Sequence, residues 1–247
     1  MAETTRDKVF EGTAARGSDF AFTKEVADVF DDMLVRSVPF YLEQQSIIKD
    51  FAKRFYIPGT CVYDLGSSTA TTLLNIANEI KDSNPRLIGF DNSMPMVEKA
   101  TARVKEHGFD KMIEIRYADI NTVTFDKSSF VTMCWTLQFV RPLQREALVK
   151  RIYDSLEDNG ALVVTEKVLT NSSDMNRVFI ELYYEFKRRN GYSDEEIVHK
   201  REALENVLIP YRVDEDIALF RNAGFQIIET FFQWYNFIGF LCVKKPN

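Results

Sequence analysis

The sequence has few of the residues that form metal centres and disulfide frameworks. Its 247 residues include three cysteines, Cys61, Cys134 and Cys242, and two histidines, His107 and His199. The cysteines are far apart without a C-x-x-C spacing, and each histidine stands alone. We therefore predict no metal site, and we interpret the cysteines that fall in predicted strands as small buried hydrophobic residues.

Long apolar runs and an excess of basic charge are also missing. No apolar run approaches the roughly 18 residues of a membrane span. The N-terminal sequence MAETTRDKVFEG is polar and of mixed charge, unlike a signal peptide. We therefore expect a cytoplasmic protein that does not bind membranes. The net charge is −6, and basic residues form only short clusters such as Lys187-Arg188-Arg189, so direct binding of nucleic acid is disfavoured.

The stretch from 60 to 70, TCVYDLGSSTA, predicts a strand, a tight turn and the start of a helix. Val62 and Tyr63 are typical of a buried strand. Asp64 lies near the end of that strand, and Gly66 lies in the turn. Ligands of open α/β sheets bind outside the carboxyl ends of the strands, where such turns lie. The turn is therefore a candidate binding site, although an ordinary β-α turn would show the same pattern.

This turn does not match the known phosphate-binding loops. In the dinucleotide motif G-x-G-x-x-G the second and third glycines are replaced here by Ser68 and Thr71. The Gly-Lys-Ser/Thr sequence of a P-loop is missing as well. A strand, an aspartate and one glycine before a helix instead fit a nucleoside without a pyrophosphate.

Acidic residues follow two further predicted strands. Asp91, with Asn92 beside it, follows the strand at 87–90 and comes 25 residues after Gly66. At this spacing a βαβ unit places an acid beside ribose hydroxyls. Asp119 follows the strand at 113–117, where its carboxylate suits an adenine amino group and the adjacent Ile120 suits the ring.

Three acids at successive strand ends, Asp64, Asp91 and Asp119, are hard to explain as core packing. They are expected to meet at one edge of the sheet and to surround a nucleoside that bears positive charge. Among common cofactors S-adenosyl-L-methionine fits best, because it combines ribose, adenine, an ammonium group and a sulfonium.

The remaining pattern predicts an α/β fold. We expect a seven-stranded, mostly parallel, Rossmann-like methyltransferase sheet with helices on both faces and a C-terminal antiparallel hairpin. Residues 1–57 are predicted to form an N-terminal helical cap, and residues 58–247 a binding domain with a helical insertion at 168–212. The remaining predicted elements are helices at 23–38, 40–55, 95–106, 145–156, 173–189, 193–207 and 214–222, and strands at 130–135, 161–165, 225–232 and 236–243. Tyr41, at the start of the second helix, is either a packing aromatic or a ligand contact.

Arg201 lies in the predicted insertion. It is four residues after Ile197 and three before Leu204, so helical spacing places it on their inward face. A buried charge without a partner is costly. The partner is either a ligand carboxylate or Glu205, and spacing alone slightly favours Glu205.

From Arg6 to about Val243 the chain resembles the carboxy-S-adenosyl-L-methionine synthases, a family of the methyltransferase superfamily. Arg-Ser-Val-Pro at 36–39 and Phe-Lys-Arg-x-Asn-Gly-Tyr-Ser at 186–193 are the most specific motifs. Further matches are Val29-Phe30-x-Asp32-Met33, Val62-Tyr63-Asp64-Leu65-Gly66, Asp91-Asn92-Ser93, Thr136-Leu137-Gln138-Phe139 and Lys200-Arg201-x-x-Leu204-Glu205-Asn206-Val207.

This resemblance implies a reaction and a set of site residues. Such enzymes convert S-adenosyl-L-methionine and prephenate to carboxy-S-adenosyl-L-methionine and phenylpyruvate, and a separate enzyme uses the product to carboxymethylate a tRNA wobble uridine. The resemblance also implies a homodimer, and it assigns to Arg201 the grip on the new carboxylate. The implied cofactor contacts are Tyr41, Gly66, Ser67, Ser68, Asp91, Asn92, Asp119, Ile120, Cys134 and Arg201.

Three positions depart from the family pattern. Ser67 replaces a cysteine, Ala70 a glycine and Cys134 an asparagine. An alanine at position 70 predicts a helical conformation there, because left-handed backbone is unfavourable for it. Two alternatives stay open: a conventional methyltransferase that acts on a small acid, and a non-catalytic module that binds the nucleoside.

Overall fold

The computed structural model describes residues 6–11 and 20–246. In this part of the chain seven strands form one sheet in the order β3-β2-β1-β4-β5-β7-β6. The strands are β1 (Cys61–Leu65), β2 (Arg86–Asp91), β3 (Ile113–Tyr117), β4 (Ser128–Cys134), β5 (Leu156–Lys167), β6 (Ile227–Trp234) and β7 (Phe237–Val243).

Eight α-helices surround this sheet within the described ranges. None of these helices combines the length and the hydrophobicity that a bilayer span requires. The helices are α1 (Lys24–Ser37), α2 (Tyr41–Phe55), α3 (Thr71–Ile80), α4 (Met94–Glu106), α5 (Pro142–Ser155), α6 (Ser173–Arg189), α7 (Asp194–Leu204) and α8 (Val213–Ala223).

The sheet topology confirms the predicted fold class. Strands β1 to β5 pair in parallel, whereas β7 is antiparallel to both β5 and β6. Because β1 lies between β2 and β4, the chain turns to opposite sides of β1, which creates the crevice where ligands of such sheets bind. Side chains alternate along β1: Val62 packs with Leu73 on one face, whereas Tyr63 packs with Leu148 on the other. Both faces are therefore covered by helices.

The junction of α5 and β5 differs from the prediction. Helix α5 starts at Pro142, a position that suits proline because a first-turn amide needs no partner. The helix ends at Ser155, and Leu156 pairs at once with Ser128 of β4. Pairing then slips and resumes at Ala161. The sequence pattern missed this early pairing because the bulge between the paired segments resembles a loop.

The C-terminal antiparallel pair is confirmed, with shifted ends. Strand β6 runs from Ile227 to Trp234, later than the predicted 225–232, and β7 starts at Phe237. Tyr235 makes the turn with a left-handed backbone, φ 48°. The backbone preferences of tyrosine do not predict a left-handed conformation. The sequence therefore could not show at which residues β6 ends and β7 begins.

The N-terminal segment packs on the domain through Phe20 and Phe22. Their rings meet edge to face at 5.0 Å, and Phe22 also meets Phe139 at 5.7 Å. Thr23 caps α1, since its side chain accepts the backbone amide of Val26. The other residues of the predicted cap, 1–5 and 12–19, lie outside the described ranges, and the proposed domain boundaries stay a prediction.

Helices α6 and α7 occupy the predicted insertion and are tied to the N-terminal part of the chain. The Tyr192 hydroxyl donates to the Asp7 carboxylate at 2.7 Å, although 185 residues separate the two. The Arg36 guanidinium donates to the Asn190 carbonyl at 2.9 Å, and the Asn190 amide donates back to the Arg36 carbonyl. Helix α1 and the insertion are therefore held together above the carboxyl edge of the sheet.

Candidate ligand-binding site

A cavity of about 910 Å³ lies between the carboxyl edge of the sheet and the helices α1, α6 and α7. Its volume suits a nucleoside together with a second small molecule. Every cofactor contact expected from the sequence lies in its wall: Tyr41, Gly66, Ser67, Ser68, Asp91, Asn92, Asp119, Ile120, Cys134 and Arg201.

The turn after β1 is built around Gly66. Its φ is +79°, and a Cβ there would lie 2.4 Å from the Oγ1 atom of Thr136. Only glycine combines this backbone with this close approach. The amides of Gly66 and Ser67 both donate to the Phe90 carbonyl, at 2.8 and 2.9 Å. The turn is thus fixed against the end of β2, and Thr136 lines the cavity beside it.

Asp91 holds two backbone groups of this wall. Its carboxylate accepts the amide of Ser68 at 2.9 Å and the amide of Ser93 at 2.8 Å. Burial raises the pKa of Asp91, and the backbone hydrogen bonds from Ser93 and Ser68 oppose that rise. A carboxylate has about four lone-pair positions, so two remain for a ligand. Paired ribose hydroxyls match such an acceptor.

Several residues in or next to the cavity wall have a left-handed backbone. Ser68 and Trp135 line it, with φ of 47° and 60°. Ala70, which caps α3, also has a left-handed backbone, φ 64° and ψ 19°. The prediction of a helical conformation at position 70 was therefore wrong: the turn around Gly66 imposes a geometry that outweighs the preference of alanine. Strained backbone of this kind clusters at functional sites.

Asp64 and Cys134 lie deeper in the same wall. The Asp64 carboxylate accepts the Thr132 hydroxyl at 2.7 Å. Burial, with the Asp91 charge as a further cause, raises the pKa of Asp64 to about 7. Burial also raises the pKa of the Cys134 thiol, so this thiol stays protonated. Because thiolate is the nucleophilic form of cysteine, Cys134 has no character of a catalytic nucleophile.

Asp119 and Ile120 form the outer wall beyond β3. Asp119 is exposed, and its carboxylate accepts the backbone and side-chain amides of Asn121, each at 2.9 Å. Ile120 is buried and presents an apolar surface. Asp64, Asp91 and Asp119 belong to the neighbouring strands β1, β2 and β3 or their ends, and the structure brings all three to one cavity.

Tyr41 is the first residue of α2 and is buried, with its side chain in the cavity wall. Burial raises the pKa of Tyr41, so its hydroxyl keeps the proton and can donate a hydrogen bond. The preceding residue, Phe40, has a left-handed backbone with φ 54°. Tyr41 is therefore a buried packing aromatic that also lines the cavity, and its contact with a ligand stays a prediction.

Arg201 is not on the buried face of α7, and the prediction from spacing was wrong on this point. Its side chain is 58% exposed, and the nearest carboxylate is that of Glu202, at 3.9 Å, rather than Glu205. The buried face contains charged and polar residues, among them Lys200 and His199, which apolar spacing could not identify. Arg201 nonetheless lines the cavity, where an exposed guanidinium can receive a carboxylate.

Three lysines of the cavity wall were not predicted. Lys167, Lys187 and Lys200 all line the cavity. The sequence grouped Lys187 with two arginines as a basic cluster, yet Lys187 is only 4% exposed. Its spacing of four residues from Tyr183 would have placed it on the inward face of α6.

Known proteins give the context for this geometry. Residues 62–160 match a methyltransferase domain family. A carboxy-S-adenosyl-L-methionine synthase from Methylococcus capsulatus is 48% identical over 97% of this chain and 100% of its own length. The protein of the same name from Sulfurimonas denitrificans is 48% identical over 96% of this chain and 99% of its own length. The chain belongs to the carboxy-S-adenosyl-L-methionine synthase family. The resemblance found in the sequence motifs is thus confirmed.

Several solved structures share the fold of this chain although their sequence identity to it is low. The YcgJ protein of Bacillus subtilis has a TM-score of 0.63 and 11% identity over 83% of this chain and all of its own chain. Human N-acetylserotonin methyltransferase in complex with SAM has a TM-score of 0.62 and 14% identity over 90% of this chain and 56% of its own. The fold is therefore that of the class I methyltransferases.

Proposed function

We propose that this protein converts S-adenosyl-L-methionine and prephenate to carboxy-S-adenosyl-L-methionine and phenylpyruvate. The observation that supports this most directly is the 48% identity to a carboxy-S-adenosyl-L-methionine synthase over 97% of this chain and 100% of the relative. The cavity supports it independently, because its acidic wall suits a sulfonium nucleoside and its volume leaves room for a second substrate.

The proposal assigns the nucleoside to the β1–β3 side of the cavity. Asp91 would accept the two ribose hydroxyls, since two of its lone-pair positions are free. Asp119 would accept the adenine amino group, and Ile120 would cover the ring. Asp64 is buried beside Asp91, where a nearby positive charge of the ligand would favour its ionised form.

The proposed reaction balances without a protein nucleophile. The S-methyl group loses a proton and becomes an ylide carbon. Prephenate loses its ring carboxyl as carbon dioxide and its hydroxyl as hydroxide, and its ring becomes aromatic. The ylide carbon bonds to the carbon of carbon dioxide, while the hydroxide and the proton form water. The protein would mainly orient two substrates and exclude solvent, which agrees with the protonated state of Cys134.

Arg201 would hold the carboxylate that appears on the product. Its contact with Glu202 joins two exposed side chains at 3.9 Å, and such surface pairs contribute little. The guanidinium is therefore available for the bidentate contact that carboxylates make with arginine.

The proposal extends to the setting of the reaction. The product would be used by a separate enzyme that carboxymethylates a tRNA wobble uridine, and the net charge of −6 agrees with a protein that does not itself bind nucleic acid. We also propose a cytoplasmic homodimer that does not bind membranes and that needs no metal.

Mass spectrometry of the reaction products tests the proposal. The purified protein is incubated with S-adenosyl-L-methionine and prephenate, and the nucleoside is expected to gain the mass of one carbon dioxide while phenylpyruvate appears. Formation of S-adenosylhomocysteine and a methylated acid would instead identify a conventional methyltransferase. Binding of the nucleoside without turnover would identify a ligand-binding module.

A further inference from the structure

The three lysines of the cavity wall lie opposite the three acids. The acids lie in β1 and β2 and just after β3, whereas Lys167 ends β5, which lies on the other side of β1 and β4. Lys187 and Lys200 lie on α6 and α7, which cover the cavity. The two ends of the cavity therefore differ in charge.

The lysines form one cluster around two tyrosines. The Nζ atoms of Lys167 and Lys187 lie 4.4 and 5.0 Å from the ring centre of Tyr183. The Nζ atoms of Lys187 and Lys200 lie 5.8 and 5.6 Å from the ring centre of Tyr192. Aromatic faces attract ammonium groups, but they do not neutralise them.

No carboxylate compensates the cluster within 4.0 Å in the part of the chain that the structure describes. The nearby acids are already engaged: Asp7 accepts the Tyr192 hydroxyl, and Glu196 accepts the Ser193 amide at the start of α7. The buried Nζ of Lys200 has no hydrogen-bond partner among the described residues. Arg36, which also faces this group, adds positive charge.

This arrangement lowers the stability of the ligand-free protein. Burial lowers the pKa of Lys167 and of Lys200 to about 8, and that of Lys187 well below its usual value. The charge of Lys200 adds to the shifts of Lys167 and Lys187, whereas at Lys200 the Asp7 carboxylate opposes the shift and Arg36 adds to it. Buried charges without partners are destabilising. A cluster of such groups in the wall of a cavity is typical of a binding site, where the ligand supplies the opposite charge.

We infer that Lys167, Lys187 and Lys200 bind the second substrate of the proposed reaction. This inference depends on the proposed function for the identity of the reaction. The lysines would hold the carboxylate that remains with the ring, while the carboxylate to be transferred faces the nucleoside. Tyr183 and Phe237, whose ring centres are 4.8 Å apart, line the cavity beside the lysines and supply an apolar surface for the ring.

Lysine-to-methionine variants test the inference, because methionine keeps much of the side-chain volume and removes the charge. For K167M, K187M and K200M we expect the KM for prephenate to rise about 10- to 100-fold, the factor that corresponds to one lost charged hydrogen bond. Binding of S-adenosylhomocysteine by calorimetry should stay within about twofold, because the nucleoside binds at the acidic end. The matched control is R189M, which removes a positive charge from the exposed side of α6.

The melting temperature separates binding from folding. If the lysines bind an anion, each variant should melt at the wild-type temperature or above, since an unpaired buried charge is removed. Lower melting together with weaker S-adenosylhomocysteine binding would show a structural role and overturn the inference. An unchanged KM in all three variants, with an active wild type, would also overturn it. K200R, which keeps the charge, should retain most of the affinity that K200M loses.

Failure of the proposed function can be distinguished from failure of the lysine site. In that case the wild type would form no carboxylated nucleoside. Phenylpyruvate, titrated into the complex with S-adenosylhomocysteine, would still bind to the wild type and bind at least about 10-fold more weakly to the lysine variants. If phenylpyruvate bound equally to all of them, the lysine site itself would be refuted.

Discussion

The Asp91 carboxylate accepts the backbone N–H of Ser68 at 2.9 Å. Asp91 is the last residue of β2, and Ser68 belongs to the turn that follows β1. One side chain thus fixes the turn and, with its remaining lone pairs, faces the cavity. In the proposed function, binding of the nucleoside and the shape of the turn would be coupled through Asp91.

The first prediction concerns Asp91→Asn. The amide has only one acceptor oxygen, so the variant cannot accept hydrogen bonds from the Ser68 and Ser93 amides and from two ribose hydroxyls at the same time. Each hydrogen bond to a charged group contributes about 1.5–3 kcal/mol, so we expect S-adenosylhomocysteine to bind at least about 10-fold more weakly by calorimetry. Asp126→Asn, which alters an exposed acid paired with Arg86, should bind normally. Unchanged affinity in Asp91→Asn would exclude the ribose role.

The second prediction separates backbone strain from steric contact. Gly66 and Gly108 both have positive φ, +79° and +73°, but a Cβ would meet Thr136 only at Gly66 and has open space at Gly108. In each alanine variant the left-handed backbone should lower the free energy of unfolding by about 1–2 kcal/mol. The free energy of unfolding of Gly66→Ala should fall by about 1–3 kcal/mol more, because the added Cβ overpacks the contact with Thr136. Urea denaturation measures both values.

Binding of S-adenosylhomocysteine is the second measurement for Gly66→Ala and Gly108→Ala. Gly66→Ala should bind S-adenosylhomocysteine weakly, because Thr136 and the turn must move apart. Gly108→Ala should bind it as the wild type does. Equal loss of stability and equal affinity in the two variants would mean that the contact with Thr136 has no importance.

The third prediction concerns Arg201→Ala. Because the guanidinium would contact only the added carboxylate, the variant should bind carboxy-S-adenosyl-L-methionine at least about 10-fold more weakly and S-adenosylhomocysteine almost normally. Calorimetry with the two ligands gives the ratio directly, and S-adenosylhomocysteine serves as the internal control. Equal losses for both ligands would assign Arg201 a structural role.

The fourth prediction concerns pH. Glu166 and Asp216 are fully buried neighbours. Burial and their mutual repulsion raise the pKa of Glu166 well above its usual value, and burial raises that of Asp216 to about 7. In the unfolded chain both carboxyls ionise near pH 4. The folded state therefore keeps protons that the unfolded state loses, and the free energy of unfolding should fall as pH rises from about 4 to about 7.

Asp216→Asn tests this dependence. It removes one of the two titrating groups and leaves an amide that can donate to Glu166. Urea denaturation at pH 5 and pH 8 should show a smaller loss of stability in the variant than in the wild type, and a variant more stable than the wild type at pH 8. Asp64, whose pKa is also raised to about 7, contributes equally in both proteins. Identical losses would show that the pair does not titrate in this range.

Local patterns were sufficient for the elements that build the acidic end of the cavity. The run from Val62 to Gly66 and the acid at Asp91 are consecutive signals within a βαβ unit, so their meeting at one edge follows from the topology. Ala70 was beyond such patterns, because its left-handed backbone is imposed by contacts between the turn and β2.

In helix α7 the spacing of hydrophobic residues did not predict which face is buried. Hydrophobic spacing placed Arg201 inward, but the helix buries Lys200 and Glu196 instead. The buried Lys200 lies near the rings of Phe10 and Tyr192, and the neighbouring His199 ring nitrogen donates to the Phe10 carbonyl. No apolar stripe marks such a face, and the lysine cluster became visible only once α6 and α7 were placed over the sheet.

The bond between Asp7 and Tyr192 also has a consequence for synthesis of the protein. The ribosome releases the chain from its N-terminus, so Asp7 emerges first and its phenol partner follows 185 residues later. A nascent chain that stops before Tyr192 already contains β1 to β5 but lacks α7 and with it Lys200 and Arg201. Lys200 and Arg201, which line the cavity, are therefore synthesised only after all five parallel strands of the sheet.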